Sequence, residues 1–404
     1  MNSFTIYTPT RLFFGADQAA AFAKAAAKLG RHALLVTGGG SVEKLGYLAT
    51  VKAALAAEGL QVTHFSGIEP NPESATINRA AAELKTAGAD FVIALGGGSV
   101  MDASKAIAAL AFAGERDIWP FVLGEARAFQ LKGALPIAAI PTTAATASEV
   151  TPYAVISNRT VKGKSVLGFE FMKPRVSWLN PAFTVKLSAT TTRDGAADIL
   201  SHVFENYLLG GGGSPLADRH TEGIIATVIE TLPRLLADLE NVELRGVLLW
   251  ASTLALNDYQ LAGRNDSQFV LHSMEHALSG FHPELAHGRG LATLYPAYFR
   301  WLLAHGRARE RLAQLGERIF GLDTEEGDAA EGFIDQFEAW LADNGLRQSL
   351  PDLGIEEKEY ATIAAYAVKV YSDGKQLEAL GPLPAEEIVK IFQATAAQAK
   401  EAVV

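Results

Sequence analysis

The chain has 404 residues, 49% of them hydrophobic and 20% charged, which is typical of a globular protein with two domain cores. Its net charge of −10 argues against nucleic-acid and anionic-membrane partners, because both need a dense Lys/Arg surface. No run approaches the roughly 20 apolar residues of a membrane span. The sequence contains no cysteine, which removes disulfide and thiolate chemistry, and we expect a cytoplasmic protein.

The first half of the chain alternates strand-like apolar runs with helix-like stretches. The predicted extended segments are residues 4–7, 11–14, 33–36, 61–65, 91–95 and 136–140. The predicted helices are residues 19–29, 51–58, 75–87 and 102–112. Strands separated by single helices indicate a parallel sheet with helices on both faces. We therefore predict an α/β, Rossmann-like dinucleotide-binding domain over residues 1–182.

The second half shows almost only helical periodicity. The predicted helices are residues 196–209, 217–236, 244–261, 269–278, 291–304, 308–319, 329–344, 355–370 and 385–401. Four consecutive glycines at 210–213 predict a flexible corner between two of these helices. We therefore predict an all-α domain over residues 183–404.

Histidines are concentrated in the helical half. Four of the chain's nine lie in one stretch, FVLHSMEHALSGFHPELAHGRGL. In it, His272 and His276 are four residues apart and share a helix face, and His287 follows a break. Asp198 and His202 share another helix face by the same spacing. Imidazole and carboxylate ligands without sulfur suit Fe(II) or Zn(II), so we predict a divalent-metal site. The alternative is that both pairs lie on solvated helix faces.

Glycine-rich turns with the sequence GGGS follow two predicted strands, at residues 38–41 and 96–99. Glycine allows a pyrophosphate to approach the backbone, and the N–H groups of a following helix favour an anion. The spacing is not G-x-G-x-x-G, and a tight turn without a ligand is the alternative. Behind the second turn, Asp102 and Lys105 lie near a nucleotide or form an exposed pair one helical turn apart. The hydroxylated run at 141–149 either binds phosphate and ribose or caps a helix.

The first glycine turn bears on the choice of dinucleotide. NAD-binding folds place an Asp or Glu at the end of the second strand, where it binds the ribose and repels a 2′-phosphate. Here strand 33–36 leads into Gly39, Gly40 and Ser41 without an acid. Their N–H and hydroxyl groups can donate to a phosphate, and Lys164 can add charge. We therefore predict NADP(H) over NAD(H); a turn that tolerates both is the alternative.

Four motifs, in order along essentially the whole chain, are GGGSVMDASK, PTTAATASEVT, DILSH and HSMEHALSGFHPELAHG. Together they resemble the iron-containing (group III) alcohol dehydrogenases. The resemblance implies NAD(P)-linked oxidation of an alcohol or reduction of an aldehyde, with Fe(II) as the metal and Zn(II) as the alternative. The metal ligands it implies are Asp198, His202, His272 and His287. The resemblance implies that His276 lines the site without binding the metal. We consider it as a proton relay because imidazole titrates near neutral pH; a packed, hydrogen-bonded histidine is the alternative.

The resemblance also implies the cofactor-binding residues, with the pyrophosphate on Gly97, Gly98 and Ser99. Together with the first glycine turn, the predicted set is Gly39, Gly40, Ser41, Asn71, Gly97, Gly98, Ser99, Asp102, Thr142, Thr143, Thr151, Lys164 and Leu179.

Alternatives to the fourth ligand and to the function remain open, and one of them is a nucleotide-binding protein without catalysis, which predicts an incomplete metal set. The segment from His272 to His287 is one residue longer than is usual in the family, so His282 is the alternative fourth ligand. We predict His287 because it precedes Gly288, whereas Pro283 restricts the backbone after His282. The alternative function is a non-redox lyase or synthase of the same fold, which should show a Lys/Arg cluster around the metal. We expect a homodimer that acts on a small alcohol or aldehyde.

Overall fold

The structure is a computed structural model that describes residues 1–211, 214–265, 268–323 and 327–401. Contacts divide the chain into two units. The α/β unit contains residues 8–187 and 239–253, and the helical unit contains residues 1–7, 188–238 and 254–404. The predicted domain boundary after residue 182 stays a proposal. The prediction did not include two short exchanged segments: residues 1–7 group with the helical unit, and residues 239–253 group with the α/β unit. Part of the predicted glycine corner, residues 212 and 213, lies outside the described residues.

The α/β unit is built on parallel strands. Its strands are β1 (Arg11–Phe14), β2 (His32–Gly38), β3 (Gln61–Ile68), β4 (Phe91–Gly96), β5 (Ile137–Pro141), β6 (Tyr153–Asn158), β7 (Gly163–Gly168) and β8 (Val176–Leu179). Its helices before residue 187 are α1 (Ala19–Ala26), α2 (Ser41–Lys44), α3 (Tyr47–Ala57), α4 (Ser74–Ala87) and α5 (Gly98–Ala113). Six strands form one parallel sheet in the order β1-β8-β5-β4-β2-β3, while β6 and β7 form an antiparallel hairpin. The predicted α/β class with a parallel sheet is confirmed.

The alternation of side chains along the central strands explains why helices cover both faces of this sheet. On β2, Leu34 and Val36 belong to the apolar core that includes α4 and α5. Their neighbours Ala33 and Leu35 belong to a second core with α1 and α3. All four side chains are fully buried. A strand that is buried on both faces has a continuous run of apolar residues in its sequence. This run is the pattern from which residues 33–36 were predicted as a strand.

The prediction for the N-terminal segment is wrong in one respect. Residues 4–7 form no strand, and residues 1–7 group with the helical unit, where the backbone N–H of Asn2 donates to the carbonyl of Gly263. The sequence reading also missed the β6–β7 hairpin and the strand β8.

The helices after residue 187 are α6 (Ala189–Leu209), α7 (Pro215–Ala237), α8 (Val242–Ala255), α9 (Val270–Phe281), α10 (His287–Ala304), α11 (Arg309–Phe320), α12 (Ala329–Asp343), α13 (Glu357–Tyr371) and α14 (Ala385–Glu401). A short hairpin of β9 (Gln376–Glu378) and β10 (Pro382–Pro384) precedes α14. Most of α8 belongs to the α/β unit. No helix in the described ranges is both long enough and apolar enough to cross a membrane.

Helix α6 lies at the centre of the helical unit and packs against α7, α9 and α10. Its residues from Gly195 to Leu209 are buried on every side. Phe204 anchors it edge-on against Tyr295, Phe299 and Phe337. Because α6 is buried all round, its polar side chains have no access to bulk solvent and must find partners inside the protein.

Two predicted helix boundaries are corrected. The helix predicted over 244–261 ends at Ala255, and Asp258 then adopts a left-handed backbone with φ of 74°, which a continuing helix excludes. Helix α10 begins at His287 instead of at residue 291. His287 is therefore held by a helix terminus and not by the loop that the sequence suggested.

Candidate metal centre and nucleotide site

Four polar side chains converge inside the helical unit. Asp198 and His202 lie one turn apart on α6, His272 lies on α9 and His287 begins α10. The imidazole Nε2 atoms of His202 and His272 are each 3.7 Å from Asp198 Oδ1, and that of His287 is 3.5 Å away. Potential ligand atoms of Asp198, His202 and His272 all lie within 4.8 Å of one another. The structure thus brings together all four predicted metal ligands.

The spacing of these atoms fits a shared cation. Two ligand atoms about 2.1 Å from one ion are separated by about 3.0–3.5 Å at tetrahedral or octahedral angles. The measured separations from Asp198 Oδ1 lie within a few tenths of an ångström of that range. Asp198 Oδ1 and His272 Nε2 are buried and have no hydrogen-bond partner among the described residues. Such buried polar atoms are costly unless a ligand satisfies them.

The electrostatics of the cluster mostly favour ligand-competent protonation states. Burial would raise the pKa of Asp198, but His202, His272 and His287 hold it below its usual range. Burial also lowers the pKa of His202 to about 3, against the attraction of Asp198. His272 differs, because Glu205 and Asp198 overcome burial and raise its pKa to about 9. A carboxylate beside a neutral imidazole is the form that a divalent cation binds.

The start of α10 is fixed against α6 by its backbone. A Cβ atom at Gly288 would lie 1.8 Å from the carbonyl oxygen of Asp194, so only glycine allows this approach. Arg289 Nε donates to Asp194 Oδ1 at 2.9 Å and holds the same two helices together. Asp194 lies one turn before Asp198 on α6. The contacts of Gly288 and Arg289 with Asp194 therefore fix the position of His287 relative to Asp198.

The alternative ligand His282 lies elsewhere. It directly follows α9, and its Nε2 is 3.2 Å from a carboxylate oxygen of Glu359 on α13. The geometry therefore favours His287 over His282 as the fourth ligand.

Two carboxylates that the sequence analysis missed contact the cluster from outside, at the Nδ1 atoms of His272 and His287. Glu205 Oε2 contacts His272 Nδ1, and Glu275 Oε2 contacts His287 Nδ1. Glu205 is three residues after His202, and Glu275 is three residues after His272. This spacing is the only local signal that could have placed them beside the ligands.

His276, the predicted relay, lies beside the cluster. Its ring stacks on that of His287 with centroids 5.1 Å apart, and the ring of Tyr371 is 5.6 Å away. It also groups with Glu275 and His287 within 4.8 Å. His276 thus lines the site, and its part in proton transfer stays a prediction.

In the α/β unit, most of the predicted cofactor residues follow the carboxyl ends of parallel strands, which meet at one edge of the sheet. Gly39, Gly40 and Ser41 follow β2, Asn71 follows β3, Gly97, Gly98 and Ser99 follow β4, Thr142 and Thr143 follow β5, and Leu179 ends β8. This edge is where dinucleotides bind in open α/β sheets.

The second glycine turn combines close packing with a free helix start. A Cβ atom at Gly98 would lie 2.5 Å from the Thr146 side chain, and one at Gly97 would lie 3.2 Å from Thr143. The hydroxylated loop after β5 thus packs directly on the turn. Helix α5 begins at Gly98 without a side-chain cap, which leaves its N-terminus available to an anion.

Lys105 is not exposed, which corrects the interpretation of Asp102 and Lys105 as an exposed pair. It is fully buried and donates to Ser148 Oγ, Thr151 Oγ1 and the carbonyl of Tyr153 at 2.7, 3.2 and 2.7 Å. Burial lowers its pKa to about 8, against Asp102 and Glu149.

Asp102 and Thr151 belong to the same buried network. Asp102 accepts the Ser148 hydroxyl at 2.5 Å and the N–H of Val155 at 2.9 Å, so both of its oxygens have protein donors. The network links α5 to β6 and to the loop after β5. Asp102 and Thr151, both predicted to bind the cofactor, thus have hydrogen-bond partners within the α/β unit.

The last predicted cofactor residues lie in two places. Lys164 on β7 is buried and donates to Asn71 Oδ1 at 3.0 Å, so these two are brought together. Asn71 has a left-handed backbone with φ of 54°. Leu179 is fully buried and its carbonyl accepts the N–H of Gly15 at 2.9 Å.

A parallel α/β unit with a glycine turn at a strand end, together with a His/Asp cluster in a helical unit, defines the class of metal-dependent, nucleotide-linked enzymes. Comparison with known proteins makes this specific. The model for iron-containing alcohol dehydrogenase matches residues 9–181, and the model for the C-terminal part of the Fe-containing alcohol dehydrogenase family matches residues 192–396. The chain belongs to the iron-containing alcohol dehydrogenase family.

Individual relatives agree over nearly the whole length. The probable NADH-dependent butanol dehydrogenase 1 of Bacillus subtilis is 36% identical over 400 residues, covering 98% of this chain and 100% of that protein. The NADPH-dependent aldehyde reductase YqhD of Escherichia coli is 34% identical over 360 residues, covering 88% and 90%. The crystal structure of NADH-dependent butanol dehydrogenase A from Thermotoga maritima has a TM-score of 0.91 at 30% identity, covering 98% and 99%.

These comparisons confirm the predicted activity, a metal-dependent, NAD(P)-linked alcohol dehydrogenase or aldehyde reductase. The lyase alternative predicts a Lys/Arg cluster around the metal, and two arginines of the helical unit that follow or precede the predicted ligands in sequence are paired with carboxylates. Arg264 forms an ion pair with Asp218 at 2.8 Å, and Arg289 is paired with Asp194.

Proposed function

We propose that this dehydrogenase interconverts small aldehydes and alcohols with NADP(H) as its preferred dinucleotide and Fe(II) at the Asp198 cluster. The observation that carries the proposal is the convergence of three imidazole Nε2 atoms on one carboxylate oxygen at 3.5–3.7 Å. The donor set admits Zn(II) as well as Fe(II). Iron is favoured because both matching family models describe iron-containing enzymes.

The residues of the chain have distinct parts in this reaction. When bound, the cation supplies Lewis-acid polarisation of the substrate oxygen and the nicotinamide ring supplies or accepts the hydride. Asp198 and the three histidines His202, His272 and His287 bind the cation. His276, stacked on His287, moves the proton between the site and solvent. The glycine turn after β4 binds the pyrophosphate at the start of α5.

The direct test is loss of reduced-cofactor absorbance when the metal-loaded protein and NADPH meet a panel of aldehydes. We expect consumption with small aldehydes, and the reverse reaction with the matching alcohols. The Asp198→Asn variant, which keeps the shape of the side chain but not its charge, is the control and should be inactive. Absence of turnover with every aldehyde and both dinucleotides would contradict the proposal. Phosphate elimination without net cofactor consumption would instead favour the lyase alternative.

The preference for NADP(H) rests on the first glycine turn. Gly39 is exposed, follows β2 without an acid, and has no atom within 4 Å of a Cβ built on it. Gly40 has φ of 102° and provides the left-handed turn into α2. A 2′-phosphate would therefore meet N–H groups and the Ser41 hydroxyl without repulsion. The similar enzymes named above include both NADH-dependent and NADPH-dependent ones. The proposed preference for NADP(H) is therefore argued from the glycine turn of this chain alone.

We expect kcat/KM for NADPH to exceed that for NADH, and the Gly39→Asp variant to reverse this order. The open space at Gly39 accepts the larger side chain, whose carboxylate binds the ribose hydroxyls and repels the 2′-phosphate. A charged hydrogen bond contributes about 1.5–3 kcal/mol, so the ratio of the two kcat/KM values should shift by about 10- to 100-fold. Gly39→Asn has the same size without the charge and should leave the order unchanged. A parent kcat/KM for NADH that equals or exceeds the NADPH value would refute the preference.

We also propose a cytoplasmic homodimer. An exposed apolar cluster of the α/β unit supports the dimer, since exposed patches of this kind mark interaction surfaces. It consists of Phe14, Val242, Val247 and Trp250. Phe14 belongs to β1, which is an edge strand of the sheet and can pair with a second copy. Sedimentation should give twice the chain mass of 43.0 kDa for the parent and a monomer for Trp250→Glu; a monomeric parent would refute it. The proposed cytoplasmic location is supported by the lack of cysteine in the sequence.

A further inference from the structure

The two carboxylates behind the metal cluster each have a specific position in the fold. Glu205, on α6, is buried and reaches the first turn of α9, where it accepts the N–H of Leu271 at 2.5 Å and that of His272 at 3.3 Å. Its Oε2 also contacts the Nδ1 of the same His272. One carboxylate therefore both satisfies the start of α9 and fixes the ring that α9 supplies.

Glu275 has the corresponding relation to His287. It is fully buried on α9, and its Oε2 contacts the Nδ1 of His287 at the start of α10. The helix α10 makes room for it with glycine, because a Cβ atom at Gly290 would lie 2.8 Å from Glu275 Cγ. This contact joins α9 directly to the start of α10.

The three histidines are consequently not equivalent. In His272 and His287 the Nδ1 faces a carboxylate, so Nδ1 carries a hydrogen and Nε2, on the Asp198 side of the cluster, is the nitrogen left to bind a cation. The Nδ1 of His202 is buried and has no hydrogen-bond partner among the described residues. The His202 ring is held instead by stacking on His272, with centroids 4.9 Å apart.

We propose that Glu205 and Glu275 are positioning residues that set the tautomer and orientation of His272 and His287 and thereby raise the affinity of the cluster for a divalent cation. The inference rests on the proposed metal site. A carboxylate on the outer nitrogen makes the inner nitrogen a stronger donor and removes the rotational freedom of the ring. His202, without such a partner, then contributes least to the stability of the bound state.

The test measures Zn(II) affinity by competition with a chromophoric chelator, and it does not depend on activity. Glu275→Gln and Glu205→Gln keep the size of each side chain and an oxygen for the backbone N–H groups, but they remove the charge. Each should weaken Zn(II) binding by about 10- to 100-fold. Each should also change the visible spectrum of the Co(II)-loaded protein, because the ligand field follows the ring orientation. Glu284→Gln is the matched control, since Glu284 is 81% exposed and its nearest histidine contact is His282 at 3.9 Å.

Several outcomes separate this inference from the proposed function. Unchanged Zn(II) affinity and Co(II) spectrum in both variants would overturn the positioning role, as would an equal loss in Glu284→Gln, which would indicate a general effect of charge. Thermal unfolding of the metal-free variants identifies any loss of fold; weakened binding in a variant that melts like the parent supports the role. If Asp198→Asn also binds Zn(II) like the parent, the proposed metal site itself fails.

Discussion

Removal of the divalent cation with a chelator should lower kcat roughly a thousandfold, and Fe(II) or Zn(II) should restore it. Lewis-acid stabilisation of the reacting oxygen contributes several kcal/mol, and each 1.36 kcal/mol corresponds to about tenfold in rate. His287→Ala should have the same effect, because it removes one of three nitrogens around Asp198 Oδ1. Elemental analysis and steady-state kinetics on the same samples measure both expectations.

His282→Ala is the matched control, because the same substitution is made five residues away. His282 lies 3.2 Å from Glu359, so its loss should leave metal content and kcat near the parent values. Full turnover by protein shown to be free of metal would refute metal dependence. Loss of metal from the His282 variant but not from the His287 variant would show that His282 is the fourth ligand.

Gly288→Ala should destabilise the protein by about 3 kcal/mol, which is large for the addition of one methyl group. The new Cβ would lie 1.8 Å from the carbonyl oxygen of Asp194, and this oxygen belongs to the backbone of α6, directly before its buried part. The start of α10 must therefore move, and His287 moves with it. Chemical denaturation should show the lower free energy of unfolding, and Zn(II) affinity should fall in the same variant.

Gly223→Ala provides the comparison for that variant. Gly223 is also helical, on α7, but nothing lies within 4 Å of a Cβ built there. The substitution should leave Zn(II) affinity unchanged and stabilise the helix slightly, by up to about 1 kcal/mol. Equal stability and equal metal affinity in Gly288→Ala and the parent would show that α10 can shift without cost, against the packing described.

Asp198 and His202 could be predicted as a pair because their spacing is local, whereas the resemblance to the family added His272 and His287. Asp198 and His202 are one helical turn apart, so the helix alone brings them together. The partners behind them could not be predicted in the same way. Glu205 meets His272 across 67 residues, and before α6 and α9 are placed side by side nothing distinguishes it from a glutamate on a solvated face.

The α/β unit shows the same limit. The parallel sheet followed from apolar runs alternating with helices, a pattern that each strand carries by itself. The β6–β7 hairpin was missed because its turn uses Lys162 in a left-handed backbone with φ of 48°, not the Asn-Gly or Asp-Gly pair that signals a hairpin. The same hairpin contributes to the burial of Lys105, since β6 supplies the Tyr153 carbonyl that this lysine binds. Because the hairpin was not predicted, the burial of Lys105 on α5 was not predicted either.

The exchange of short segments between the two units has a consequence for biosynthesis. The α/β unit contains residues 239–253, and from them Thr253 donates its hydroxyl to the buried Glu149 at 2.6 Å, while Arg245 donates to the carbonyls of Leu187 and Leu239. When only the first 187 residues have been synthesised, residues 239–253 are not yet present. The nucleotide-binding half is therefore completed only after the first two long helices of the other half have emerged, and a gene fragment cut between the halves would encode an incomplete domain.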